Sequence, residues 1–210
     1  MEKDKIMNLP ALPQATANLL PYDGHAVLYP HFLTAAEHSY YLEQLRRHIA
    51  WKQEAIKIFG KAVLQPRLTA WYGDEGKAYS YSGITMQPLP WTNALQELKE
   101  KTGKVTGYPF NSALLNLYRD GNDSMGWHRD NEKELGAAPV IASLSLGTAR
   151  LFRFRHHQNK KVNIPVVLEP GCLLLMYGST QTHWQHQLPK TKTAQGLRIN
   201  ITFRNIYPGV

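Results

Sequence analysis

The stretch Leu197-Arg-Ile-Asn-Ile-Thr-Phe-Arg204 decides the fold, because it alternates apolar and polar residues without a break. Neighbouring side chains of a β-strand point to opposite faces of the sheet, so the apolar residues share one face. The opposite face holds Arg198, Asn200, Thr202 and Arg204. This polar face contains no acid, and its charges have one sign. An ordinary strand with a solvated polar face is the alternative interpretation at this point.

Arg198 and Arg204 suggest what this polar face binds. The two positions lie ~20 Å apart along an extended strand, and side chains that lean toward each other narrow that gap to the length of a short dicarboxylate. Guanidinium groups bind carboxylates through paired hydrogen bonds. The strand therefore predicts a pocket for a small dianion beside the core of a β-rich domain.

The rest of the chain predicts two helices followed by many strands. Thr34-Ala-Ala-Glu37 has capping-box spacing and precedes apolar residues at helical intervals, which predicts a helix over about 34–50. A second helix is predicted over about 92–102. Short runs bounded by turn residues predict strands at 113–118, 140–146, 151–155, 164–168 and 172–177. This order is typical of an α+β, β-rich sandwich or jelly roll with helices packed outside.

Composition limits the class of protein. The 210 residues suit one domain, which we place at 23–210 after a flexible arm at 1–22. One cysteine, Cys172, permits no intrachain disulfide and favours a reducing compartment. No apolar run reaches the ~20 residues of a membrane span. We therefore expect a monomer inside the cell, cytoplasmic in a bacterium or nuclear in a eukaryote, with no membrane partner.

The charge of the chain favours a polyanionic partner. The formal net charge is +8 and the sequence pI is about 9.5. Nucleic acid is the commonest polyanion that such an excess attracts. The basic residues between 150 and 161, together with Lys190 and Lys192, are the candidates for phosphate contacts.

His128-Arg-Asp130 offers two metal ligands, because positions i and i+2 of an extended segment share one face. The pair alone is weak evidence. An iron(II) site of two histidines and one carboxylate on one face leaves open positions for oxygen and a co-substrate. His128 and Asp130 supply only two of these three ligands, so a second histidine from a distant part of the chain is required. Both His183 and His186 suit that place, and spacing alone leaves the choice open.

Four segments, in this order, closely resemble the AlkB family of iron(II)/2-oxoglutarate dioxygenases. They are Asn116-Leu-Tyr118, Gly126-Trp-His128-Arg-Asp130-Asn-Glu132, His183-Trp-Gln-His186 and Arg198-Ile-Asn-Ile-Thr-Phe-Arg204. The match runs from about residue 55 to 206 and is most similar to the branch that repairs duplex DNA. The resemblance implies a double-stranded β-helix (jelly-roll) fold with an iron/2-oxoglutarate core over about 110–206.

The resemblance also implies roles for individual residues. The iron(II) ligands are His128, Asp130 and His186, so the resemblance selects His186 over His183. The residues around 2-oxoglutarate are Asn116, Tyr118, Arg198, Asn200, Thr202 and Arg204. Nucleotide-recognition elements occupy about 55–90. The substrate-binding residues are Phe59 as a wedge, Arg67 beside the pocket, Tyr79 and Tyr81 lining it, and Glu132 reading the flipped base.

The implied reaction is oxidative demethylation of N-alkylated bases such as 1-methyladenine and 3-methylcytosine. The substrate is double- or single-stranded DNA, and the reaction uses Fe(II), O2 and 2-oxoglutarate and releases formaldehyde, succinate and CO2. Three alternatives remain. One is an oxygenase with the same site that acts on RNA or protein. Another is a basic DNA-binding jelly roll without catalysis. The third is a zinc hydrolase on the same three ligands, which needs neither oxygen nor 2-oxoglutarate.

Overall fold

The computed structural model describes residues 12–58, 61–76, 79–81, 84–194 and 196–207. In these ranges the helices are α1 (Ala35–His48), α2 (Asn93–Thr106) and α3 (Thr180–His183), and a 3-10 turn spans Lys133–Leu135. The strands are β1 (His25–Tyr29), β2 (Ala55–Ile58), β3 (Lys61–Leu64), β4 (Leu68–Gly73), β5 (Tyr79–Tyr81), β6 (Ile84–Met86), β7 (Ser112–Tyr118), β8 (Met125–His128), β9 (Ile141–Gly147), β10 (Arg150–His156), β11 (Asn163–Leu168), β12 (Leu173–Tyr177), β13 (Trp184–Leu188) and β14 (Arg198–Arg204).

The stretch quoted first forms β14, which lies inside the larger sheet. That sheet has the strand order β1-β12-β9-β14-β7-β4, and both neighbours of β14 are antiparallel to it. In this register Asn200 lies opposite Asn116 on one side and Ser145 on the other. All seven residues of β14 are buried. The alternative of a solvated polar face is therefore wrong.

The apolar face of β14 packs toward the helices. Ile199, Ile201 and Phe203 belong to one core cluster with Leu45 of α1 and Leu95 of α2. Both helices begin at a threonine N-cap, and α1 has the complete predicted capping box. With one face of the sheet covered by helices, the polar face of β14 is directed to the other side.

The smaller sheet covers that other side. Its order is β11-β10-β13-β8, and its inner residues Phe152, Phe154 and Trp184 belong to a second core cluster with Leu174 and Met176 of the larger sheet. Two antiparallel sheets with helices outside agree with the predicted α+β jelly roll. Two further ribbons, β2-β3 and β5-β6, lie before and after β4 in the chain.

Some element boundaries differ from the predictions. Helix α2 continues through Gly103 and ends at Gly107, whose φ of 77° is left-handed, so the predicted end at 102 was four residues early. The arm predicted for 1–22 includes residues 1–11, which lie outside the described ranges. From residue 16 onward the segment is held, because the amides of Thr16 and Leu19 donate to carbonyls of β1 and Leu20 is buried. No helix in the described ranges is long and apolar enough to cross a membrane.

Candidate metal and co-substrate site

The register of the smaller sheet brings the predicted metal ligands together. His186 on β13 lies directly opposite His128 on β8, and their ring centroids are 4.2 Å apart. Asp130 follows two residues after β8 ends, and its Oδ2 is 3.7 Å from Nε2 of His186. One ligand atom from each of the three residues lies within 4.8 Å of the others. This spacing is compatible with one shared cation.

The protonation states of these groups also suit a metal. Nδ1 of His128 is 2.9 Å from the carbonyl of Gly126, and because a carbonyl only accepts, Nδ1 carries the proton and Nε2 keeps its lone pair. Burial lowers the pKa of His186 to about 3, so its imidazole is neutral. Burial raises the pKa of Asp130, but the nearby charge of Arg204 holds it below its ordinary value. The site therefore offers the neutral imidazole of His186, the imidazole of His128 with its Nδ1 turned to a carbonyl, and a carboxylate.

A second cluster, Asp23, His156 and His183, has similar spacing but the opposite tautomer. The amide of Asn159 donates to Nδ1 of His156 at 3.0 Å, so the proton of the neutral ring lies on Nε2 and faces Asp23 at 3.3 Å. A protonated nitrogen cannot bind a metal. His183 stacks on His156 in this cluster, away from Asp130. The geometry therefore favours His186 over His183 as the third ligand.

Arg198 provides the anion-binding end of the polar strand. Its guanidinium is buried, donates to Oγ of Ser145 at 2.9 Å and lies 5.4 Å from the ring of Tyr118. Within the described ranges its Nε has no hydrogen-bond partner, and no carboxylate lies at ion-pair distance from the guanidinium. Burial and the nearby Arg150 lower its pKa. A buried cation without a counterion is costly, so this pocket suits an anionic ligand.

The remaining polar residues connect this end to the metal ligands. Asn200 donates to Oγ of Ser143 at 2.8 Å, and Thr202 donates to Oδ1 of Asn200 at 3.1 Å. At the far end Nη1 of Arg204 lies 4.0 Å from Oδ1 of Asp130. One cavity between the sheets is lined by all nine predicted metal and co-substrate residues, namely Asn116, Tyr118, His128, Asp130, His186, Arg198, Asn200, Thr202 and Arg204.

Comparison with known proteins agrees with this geometry. The model of the 2OG-Fe(II) oxygenase superfamily matches residues 25–204. The chain is 41% identical over 174 residues to the DNA oxidative demethylase ALKBH2 of Mus musculus, and the match covers 80% of this chain and 73% of that protein. The chain belongs to the AlkB family. It is also 43% identical over 190 residues to the alpha-ketoglutarate-dependent dioxygenase alkB homolog 3 of Homo sapiens, covering 86% of this chain.

The alkB homolog 3 match covers 66% of the human protein, so this AlkB-family chain spans about two thirds of that relative's length. A solved structure, "The structure of OsALKBH1", has a TM-score of 0.63 at 17% identity, covering 86% of this chain and 97% of the other. That likeness establishes a shared fold. Iron(II) and 2-oxoglutarate are the cofactors of the family, and the two imidazoles, the carboxylate and the buried guanidinium fit them chemically.

The predicted substrate residues fall into three groups. Phe59 and the side chains of Tyr79 and Tyr81 lie outside the described residues. Arg67 is buried and donates to Oδ1 of Asn116 at 2.7 Å. This hydrogen bond holds Asn116, one of the predicted co-substrate residues. Glu132 is half-buried, and its Oε2 is enclosed without a hydrogen-bond partner among the described residues. Substrate contact by all of them stays a prediction.

One predicted phosphate contact is wrong. Arg150, the first basic residue of the 150–161 group, is 2% exposed, and its guanidinium donates to the carbonyls of Asp120, Asp123 and Pro189. A guanidinium enclosed by three carbonyls is not available to a phosphate. No sequence pattern indicates these contacts, because the acceptors are main-chain groups distant in the chain.

The sequence reasoning also missed three residues that support the site. Ser143 and Ser145 hold Asn200 and Arg198 from β9, and Gln181 accepts from the amide of Asp130. The two serines had a detectable signal, because they occur two residues apart in an otherwise apolar strand and so share one face. Gln181 had no such signal, since its contact depends on the packing of α3.

Proposed function

We propose that this chain catalyses oxidative demethylation of N-alkylated bases in DNA, using Fe(II), O2 and 2-oxoglutarate. One observation carries the proposal: the buried Arg198, which suits an anionic ligand, lines the same cavity as two histidines and an aspartate carboxylate. The names of the relatives, DNA oxidative demethylase and alpha-ketoglutarate-dependent dioxygenase, support the substrate and the co-substrate.

His128, Asp130 and His186 would hold the iron(II) on one face and leave its other positions open. Arg198 would bind the distal carboxylate of 2-oxoglutarate, and Arg204 would stand at the metal-bound end beside Asp130. When bound, these cofactors supply the oxidising power to hydroxylate an N-methyl carbon, after which formaldehyde leaves and the base is restored. The residues of the chain orient both cofactors and keep water away, since the strand that carries the arginines is wholly buried.

A methyl group inside a duplex cannot reach a buried metal, so the base has to leave the stack. We propose that Glu132 reads the flipped base, because its enclosed Oε2 has no other partner among the described residues. Phe59, Tyr79 and Tyr81 are proposed as the wedge and the pocket walls. Arg153, Arg155 and the basic residues that follow in the 150–161 group, with Lys190 and Lys192, would hold phosphates without reading sequence.

The alternatives differ in what they leave unexplained. A zinc hydrolase or a non-catalytic DNA-binding module has no use for a buried cation beside the metal ligands, so both leave Arg198 without a function. An oxygenase for RNA or protein uses the same metal site, and only the substrate separates it from our proposal. We also propose that the protein is a monomer and that it acts inside the cell, where its basic surface contacts DNA.

The test is formaldehyde release from oligonucleotides containing 1-methyladenine or 3-methylcytosine, with and without 2-oxoglutarate, using DNA and RNA of the same sequence. We expect 2-oxoglutarate-dependent product from DNA. His186→Ala should abolish turnover, and His183→Ala, a histidine of the second cluster, is the matched control that should retain it. Lack of product in the complete mixture with metal bound would refute the repair activity. Product from the RNA oligonucleotide alone would show that the substrate is RNA and not DNA.

A further inference from the structure

We propose that Gln181 is a positioning residue that fixes the metal-binding carboxylate of Asp130 relative to His186. The inference rests on the proposed metal site and assigns a function to a side chain outside the ligand set. Gln181 is 2% exposed, although its amide group is polar. Its Oε1 accepts a hydrogen bond from the main-chain N–H of Asp130 at 3.0 Å. A buried polar side chain is therefore bonded directly to the ligand residue.

The contact crosses between two separate parts of the chain. Asp130 lies just after β8, whereas Gln181 lies in α3, which runs directly into β13 and so into His186. A second hydrogen bond joins the same two parts, because Nη1 of Arg129 donates to the carbonyl of Thr182 at 3.0 Å. The loop that carries the carboxylate is thus held against the segment that carries the distal histidine.

A glutamine suits this place for a chemical reason. Its oxygen accepts from the Asp130 amide while its Nε2 donates to Sδ of Met176 at 3.6 Å, so both ends of the side-chain amide have a partner. An aliphatic side chain of equal length leaves the buried amide of Asp130 without an acceptor, which is costly and favours rotation of the loop. Rotation of this loop displaces the carboxylate relative to His186.

The test measures metal affinity in the full chain, with Co(II) alone as the probe, because its visible absorption reports the ligands around it. Gln181→Met keeps the length of the side chain and removes the acceptor. We expect its dissociation constant for Co(II) to rise roughly 10- to 100-fold, the usual effect of losing a residue that orients a ligand. The matched control is Gln96→Met on α2, where the side-chain amide of Gln96 donates to Glu100, and this variant should bind Co(II) like the wild type.

A second variant separates positioning from a general packing role. Gln181→Glu retains an oxygen that accepts from the Asp130 amide, so it should bind Co(II) more tightly than Gln181→Met. The melting temperature of each metal-free variant is recorded alongside. Unchanged affinity in Gln181→Met, or equal loss in both variants, overturns the inference. Failure of the wild type to bind Co(II), with no effect of His186→Ala, overturns the proposed metal site instead.

Discussion

Replacing Arg198 by methionine tests the central feature of the site, because it should weaken co-substrate binding and stabilise the protein without ligand. Methionine replaces the arginine side chain as far as Nε by an uncharged chain and removes the guanidinium. In the chain by itself the guanidinium is buried with a hydroxyl partner, Ser145, and no described carboxylate at ion-pair distance. Removing a buried charge of this kind should raise the free energy of unfolding by on the order of 1 kcal/mol or more.

The effect on 2-oxoglutarate binding has the opposite sign. Truncating one partner of a buried, hydrogen-bonded charge pair costs about 2–5 kcal/mol of binding free energy. At about 1.4 kcal/mol per tenfold change, the dissociation constant for 2-oxoglutarate should rise roughly 30- to 4,000-fold. If Arg198 served only to stabilise the fold, its replacement would lower the free energy of unfolding and leave the dissociation constant for 2-oxoglutarate unchanged.

Two measurements are needed. Titration calorimetry with Mn(II) in place of iron and without oxygen gives the dissociation constant for 2-oxoglutarate, and urea unfolding of the metal-free protein gives the free energy of unfolding. Arg153→Met is the matched control, since Arg153 is on the other face of β10 from the buried aromatic residues. An unchanged dissociation constant, or a metal-free protein destabilised by several kcal/mol, would refute the assignment of Arg198 to the co-substrate.

Three further predictions concern other charged groups. Arg150→Met should lower the free energy of unfolding by roughly 3 kcal/mol in urea, in contrast to Arg198→Met, because three enclosed carbonyls lose their donor. Burial raises the pKa of Asp123, but its bonds to Arg119 lower it overall. This pair therefore contributes its full stability above the unfolded pKa of Asp123, about 3.9, and the contribution is lost as the pH falls through the lower folded pKa. Asp123→Asn should for this reason flatten the acid side of a plot of the free energy of unfolding against pH. The logarithm of DNA affinity should fall linearly with the logarithm of salt concentration. The double variant Lys160→Gln/Lys161→Gln should reduce the magnitude of that slope by about 2. An unchanged slope would exclude these lysines from phosphate contact.

Local patterns predicted the elements whose residues follow a clear period. The capping box of α1, the end-to-end alternation of β14 and several apolar strands are confirmed within a few residues. β8 and β13 were missed, although they carry the two histidines that we propose as metal ligands. Each is only four or five residues long, and Trp184-Gln-His-Gln-Leu188 mixes aromatic and polar side chains. Such short mixed runs are stabilised as strands by hydrogen bonds to neighbouring strands. The neighbours are distant in sequence, so a local pattern cannot indicate them.

The sequence by itself determined that a charged, acid-free strand face needs an anionic partner, and the family motifs gave that partner a name. Alternation is a property of one strand, so it can be read along the chain. Only the tertiary structure decided that the face is buried and that His186 lies across from His128, because burial and register depend on strands far apart in sequence. The same applies to the two histidine clusters. Their spacing is alike, but Nδ1 of His128 donates to the carbonyl of Gly126, whereas Nδ1 of His156 accepts from the amide of Asn159.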